Sequence, residues 1–251
     1  MVEETETCFE RVQDIETEEP TLIEGLPGHG LVASIAVDQI TNQLGLEHYG
    51  SIRSPDFPPV VTFEDGLVHD LVRVYAGEDP AVMTLQSDLA LPPNSYDALG
   101  DCVLSELAGN FGRAIFLAGA PAESESQLGN VQGVATTEAL RDELRDVDIE
   151  IAAEHGVVGG VTGALVRECY RADIPATLLI VRAHPRLPDP GSAISVIENA
   201  LEPMVDFDID TTELEEHAEQ IQQQLQQIAK QYEQMTQQGE GPEPPAQGMY
   251  Q

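Results

Sequence analysis

The sequence predicts an α/β protein: a partly parallel sheet with flanking helices, followed by a heptad-patterned C-terminal helix. Two observations carry that reading. Short apolar runs closed by Gly or Pro alternate with amphipathic segments of about 10–15 residues, the pattern of strands connected through helices. The alternation holds from residue 20 to 205 without a repeat of the solenoid kind, so one core domain is expected there. A chain of 251 residues, 41% of them apolar, has ample material for such a core.

Residues 1–19 carry eight acids and one Arg. The weak register of Phe9, Val12 and Ile15 predicts an acidic arm with at most one edge strand. TLIEGLP reads as a short strand stopped by Gly25 and Pro27. LVASIAVDQITNQLG follows as a helix with Leu31, Ile35, Val37, Ile40 and Leu44 near a 3.6-residue period and Gly45 at its C-terminal cap. EHYGSIRS, VVTFE, LVHDLVRVYAG and AVMTLQSD read as four consecutive strands, an antiparallel insertion. Leu91–Asn110 is helical behind Pro92-Pro93. RAIFLAGA is a buried strand and VQGVATT another. Thr136 or Thr137 caps a helix through Arg145. HGVVGG is expected as strand and turn, VTGALVRECYRAD as helix, and ATLLIVRA as the last central strand. Asp189-Pro190, an N-cap followed by Pro at the first helical position, opens a helix to Pro203.

Charge narrows the function. Forty-five Asp and Glu against eleven Lys and Arg, ten of them Arg with Lys230 alone, give −34. Such a chain cannot displace the counterions of a phosphate backbone, which excludes a dedicated nucleic-acid binder, and it is repelled by anionic membranes. Mutual repulsion of these charges is relieved in molar salt, where the screening length falls to about 3 Å, so the composition suits a salt-rich cytoplasm. Cys8, Cys102 and Cys169 are too far apart in sequence for a zinc or disulfide framework. MVEETETCFE has no apolar stretch of a signal peptide, and Gly156–Val166, the longest near-apolar window, is too short to span a bilayer. A cytoplasmic protein is expected.

Two glycine clusters stand at strand-to-helix junctions. Gly28-His29-Gly30-Leu31-Val32-Ala33 fits the G-x-G-x-x-A pattern of a dinucleotide site, but Pro27 precedes it and the following strand ends without an obvious acid for a ribose, unless Glu47 or Asp56 serves. The competing reading is a tight turn with close helix–sheet packing. Gly159 and Gly160, with Gly156 and Gly163, repeat the situation, and a helix N-terminus there can hold an anion. The six His show no ligand spacing, so no metal is expected. No nucleophile elbow appears and no acid stands out among so many. No catalytic residue is assigned and no cofactor is expected.

EGLPGHGLVASIAVDQI, GVVGGVTGALVRECYRADIPATLLIV and HPRLPDPGSAISVIENALEPM, in that order, resemble the proteasome assembly chaperone family over about residues 20–205. The resemblance implies a nucleoside-phosphorylase-like core without established catalysis, self-association, and binding to the core proteasome or its α subunits. It favours the packing role for Gly28, Gly30, Gly160 and Gly163. The alternative is a nucleotide- or nucleoside-binding enzyme using the glycine loops.

Residues 211–236 carry a narrow seam. Leu214, Ala218, Ile221, Leu225, Ile228, Tyr232 and Met235 alternate as a and d positions, which predicts either pairing between chains or packing on the chain's own domain. Residues 237–251 read as a Pro/Gly-rich tail. Its last residues, Met249-Tyr250-Gln251, resemble the hydrophobic–Tyr–any motif by which proteasome activators enter pockets between α subunits. The resemblance implies that Met249 fills an apolar pocket, Tyr250 packs and hydrogen-bonds, and the Gln251 carboxylate meets a pocket Lys.

Overall fold

In the computed structural model, which describes residues 6–15 and 17–220, the acidic arm supplies one edge strand, β1 (Cys8–Arg11). β2 (Thr21–Gly25) is buried at every position. A short turn leads into α1 (Val32–Gln43), whose Gly45 takes the left-handed φ of +59° at the cap. The buried face of α1 is shifted from the expected apolar pattern. Val32, Ala33, Ala36, Val37 and Ile40 are buried in the core, while Leu31, which precedes the helix with a left-handed φ of +51°, is exposed and Ile35 and Leu44 are half-buried.

β3 (Glu47–Arg53), β4 (Thr62–Glu64), β5 (Leu67–His69), β6 (Val72–Glu78) and β7 (Ala81–Ser87) follow. Here the expectation needs correcting twice. LVHDLVRVYAG is two strands broken at Asp70-Leu71, and β3, β6 and β7 extend the main sheet; only the β4–β5 hairpin stands apart as its own two-stranded ribbon. α2 (Tyr96–Cys102) continues through a wider turn to Leu107. β8 (Arg113–Pro121), β9 (Val131–Ala135), α3 (Glu138–Asp146) and β10 (Glu150–Ile151) come next. The Thr137 hydroxyl caps α3 by accepting the Leu140 N–H at 3.2 Å. Residues 155–159 are a loop, not the expected strand, and Gly160 already opens the next helix; with glycines at 156 and 159 the segment finds no pairing partner among the described residues, and the extra strand is β10 instead. α4 (Gly160–Arg171), β11 (Ala176–Ala183) and α5 (Pro190–Val196) complete the core, with Asp189 accepting the Ser192 N–H at 2.9 Å as the α5 cap. The helical path runs on to α6 (Glu202–Val205), and residues 212–220 are helical again.

The nine-stranded sheet has the order β1-β3-β6-β7-β2-β8-β11-β9-β10. Its centre, β7-β2-β8-β11, is parallel, while β1, β3 and β6 on one side and the β11–β9 pairing on the other are antiparallel. One face carries α2 and α4 over Leu22, Leu85, Phe116 and Leu178. The other carries α1, α3 and α5 over Ile23, Ile115, Leu117 and Leu179. Leu214 packs into this second core. Among the described residues no helix is long and apolar enough to cross a membrane.

Candidate functional site

Parallel strands aim their C-terminal ends at one edge of a sheet, where ligands of open α/β folds usually sit. Here β2 and β8 bring together two segments about 130 residues apart in sequence: Gly28-His29 after β2 and Gly159–Gly163 at the start of α4 line one groove of about 1310 Å³, floored by Leu117–Pro121. The glycines play different parts. A Cβ on Gly30, whose φ is +66°, would lie 2.8 Å from that of Ala183, and one on Gly163 would lie 2.3 Å from the Val158 carbonyl. These two are needed for packing. Above Gly28, Gly159 and Gly160 there is open space.

The residue that ties the groove together escaped the sequence reading. Glu24, on β2, is fully buried; its carboxyl accepts from the Leu26 N–H (3.3 Å), the Leu117 N–H (3.4 Å) and the Thr162 hydroxyl (3.2 Å). One side chain thus joins β2, β8 and α4. Burial pushes the carboxyl up to about 8, against the three donors, which favour the anion. An acid inside the apolar run TLIEG was the available signal.

Among the described residues, the remaining polar groups do not form a nucleophile–base pair at the groove. Among the described residues His29 Nε2 is buried without a hydrogen-bond partner, and a Cβ on Gly119 would stand 2.0 Å from the His29 carbonyl oxygen. Arg182 donates to the Pro121 carbonyl at 3.3 Å. Burial pushes the thiols of Cys102 to about 12 and Cys169 to about 11, far from nucleophilic thiolates. His184 Nδ1 accepts the Arg186 and Leu187 N–H groups, each at 3.2 Å, and shapes the loop before α5. No cluster of three or more His, Cys, Asp or Glu suited to a metal occurs among the described residues.

The dinucleotide arrangement is not assembled. Its acid would stand at the end of the strand next to β2, but β3 is separated from β2 by β6 and β7, and Asp56 beyond β3 hydrogen-bonds to Asn94. Of the seam, Leu214 is buried on its own domain and Ala218 is half-buried. Ile221, Leu225, Ile228, Tyr232 and Met235, and the terminal Met249, Tyr250 and Gln251, lie outside the described residues.

Residues 22–229 match the model of the PAC2 family. The chain belongs to that family. The match of this PAC2 protein runs past the α/β core and takes in the seam as far as Ile228. It is 30% identical over 208 residues to the uncharacterized protein MJ0106 of Methanocaldococcus jannaschii, covering 83% of this chain and 84% of the relative. Among solved structures it resembles Pyrococcus furiosus PbaA, described as an archaeal homolog of proteasome-assembly chaperone, at 25% identity and a TM-score of 0.80 over 93% of this chain and 96% of the other. It shares the fold of Pyrococcus furiosus PbaB, described as an archaeal proteasome activator, at 20% identity and a TM-score of 0.80 over 89% of this chain and 99% of that one.

Proposed function

We propose that this PAC2 protein is a non-enzymatic cytoplasmic partner of the core proteasome, acting on α subunits as an assembly or docking factor. The observation that carries the reading is the match to PbaA over nearly the whole of both chains. The terminal Met249-Tyr250-Gln251 is the docking element: the Met249 side chain enters an apolar pocket, the Tyr250 hydroxyl hydrogen-bonds, and the Gln251 carboxylate pairs with a pocket Lys. The ten residues Gly239–Gly248 reach up to about 33–36 Å when extended, which lets the terminus probe a pocket while the body stays outside. Self-association through the later part of the seam, Ile221, Leu225, Ile228, Tyr232 and Met235, multiplies the tails and offsets a weak single contact.

The test is a pull-down of purified α subunits in molar KCl by the full chain and by a chain ending at Gly248. Capture by the first alone supports the reading; equal capture removes the tail from it, and no capture by either removes the partner. The open space over Gly28, Gly159 and Gly160 keeps one second reading in view, a nucleoside or nucleotide held in the groove. A melting shift with nucleosides would favour it, lost in Gly160→Val.

A further inference from the structure

β2 and β7 are adjacent and parallel, with Gly25 opposite Gln86. The chain leaves β2 for α1 on one face of the sheet and leaves β7 for α2 on the other. Neighbouring strands that part in this way open a crevice beyond their C-terminal ends, where open α/β sheets hold their ligands. A cavity of about 300 Å³ lies there, on the opposite side of β2 from the groove over β8. That is room for a small molecule.

Its side-chain donors are all committed to the protein. Arg73, itself buried, donates to the Tyr75 hydroxyl (3.0 Å), to the Thr62 hydroxyl and the Asp70 carbonyl at the base of the β4–β5 hairpin (each 2.9 Å), and to Asp88 through both terminal nitrogens. The Ser34 hydroxyl donates to the Leu31 carbonyl at 3.0 Å and that of Ser87 to the Leu89 carbonyl at 2.8 Å. Gln86 is only 9% exposed; its amide nitrogen donates to the Thr41 hydroxyl (2.6 Å) and the Val37 carbonyl (3.3 Å), which leaves the amide oxygen on the cavity side without a donor among the described residues. A buried acceptor of this kind calls for a partner.

The charges agree. Asp38, Asp88 and Arg73 are the ionisable groups on the cavity wall, and Arg73 is matched by Asp88. No cation pairs with Asp38 among the described residues. Partial burial, with Glu64, Asp88 and Glu213 nearby, pushes its carboxyl up against the opposing pull of Arg73. Acceptors in excess, with no metal cluster among the described residues, suit an organic cation that brings its own N–H groups. Pro27, Leu31 and Ile35 add an apolar wall, with Leu31 left 39% exposed.

We propose that the crevice between β2 and β7 binds a small alkyl ammonium or alkyl guanidinium compound, its head donating to Asp38 and to Gln86 Oε1 and its stem lying on Leu31 and Ile35. This site is independent of proteasome docking and of the glycine groove.

The experiment is isothermal titration calorimetry of the full chain in fixed molar KCl with n-butylguanidine, n-butylamine and neutral butyramide. The two cations are expected to bind at one site per chain and butyramide to give no heat. Asp38→Asn, at an exposed position, is expected to weaken both cations by about tenfold or more with unchanged circular dichroism. Ser34→Lys places an ammonium one helical turn before Asp38, within reach of the same carboxylate, and is expected to abolish binding. Absence of heat with both cations, equal affinity for butyramide, or wild-type affinity in either variant overturns the proposal. Tighter binding of N-acetyl-arginine amide than of n-butylguanidine would give the cavity to a protein side chain and overturn the free ligand.

Discussion

Glu24→Gln isolates the buried carboxyl that joins the walls of the groove. The side chain is fully buried and titrates near 8 in the folded protein against 4.5 for the ordinary carboxyl. Between those values the folded protein keeps a proton that the unfolded chain has released. Stability contributed by this group is therefore intact below about 4.5, falls as pH rises, and levels off above about 8. At about 1.36 kcal/mol per pH unit the whole interval amounts to about 5 kcal/mol, of which about 3 kcal/mol falls between pH 6 and pH 9. Gln has the same shape and an acceptor oxygen but does not titrate, so whatever it loses in hydrogen bonding is constant with pH. Urea unfolding of both proteins at fixed molar KCl measures the difference. The variant is expected to gain about 3 kcal/mol on the wild type from pH 6 to pH 9, a large part of a domain's stability. Two curves that stay parallel over that range would refute the assignment of a protonated carboxyl to this site.

The glycines separate by substitution to Ala. Gly119→Ala, whose Cβ would lie 2.0 Å from the His29 carbonyl, should cost about 3 kcal/mol, and Gly30→Ala about 2 kcal/mol; Gly28→Ala, which meets nothing, should stay within about 0.5 kcal/mol in the same unfolding assay. Arg73→Met leaves Asp88 and the hairpin base without their donor and should cost about 2 kcal/mol by thermal unfolding. Raising KCl from about 0.1 M to about 1 M shortens the screening length from about 10 Å to about 3 Å and should raise the melting temperature; a flat dependence would contradict the reading of the charge. Ile221→Asp with Leu225→Asp should lower the oligomer mass if the seam pairs chains, and an unchanged mass would place the seam on its own domain.

Local chemistry made much of the fold readable. The caps at Thr137 and Asp189 and the left-handed Gly45 ended up where their side chains or lack of one require. Apolar runs at β2, β8 and β11 became the parallel centre because both of their faces are covered. What failed was non-local. The segment 155–159 is apolar enough for a strand but has no neighbour to pair with among the described residues, and the break at Asp70 divides a continuous β pattern between two sheets. Strand order alone decides that β3 is not next to β2, and so undoes the dinucleotide geometry that Gly28, Gly30 and Ala33 imitate. The meeting of two glycine junctions in one groove depends on the same order. Glu24 was readable in principle, as the one acid in a run of buried residues, but a chain with 45 acids hides it.

The central claim, a PAC2 protein that reaches the proteasome through its last three residues, is tested most directly by affinity for the assembled α ring. Titration of the full chain, of the chain ending at Gly248 and of Tyr250→Ala, in molar KCl, gives three dissociation constants beside matched melting curves and oligomer masses. The account predicts saturable binding by the full chain and its loss in both variants, with fold and mass unchanged. Equal dissociation constants for all three would contradict it.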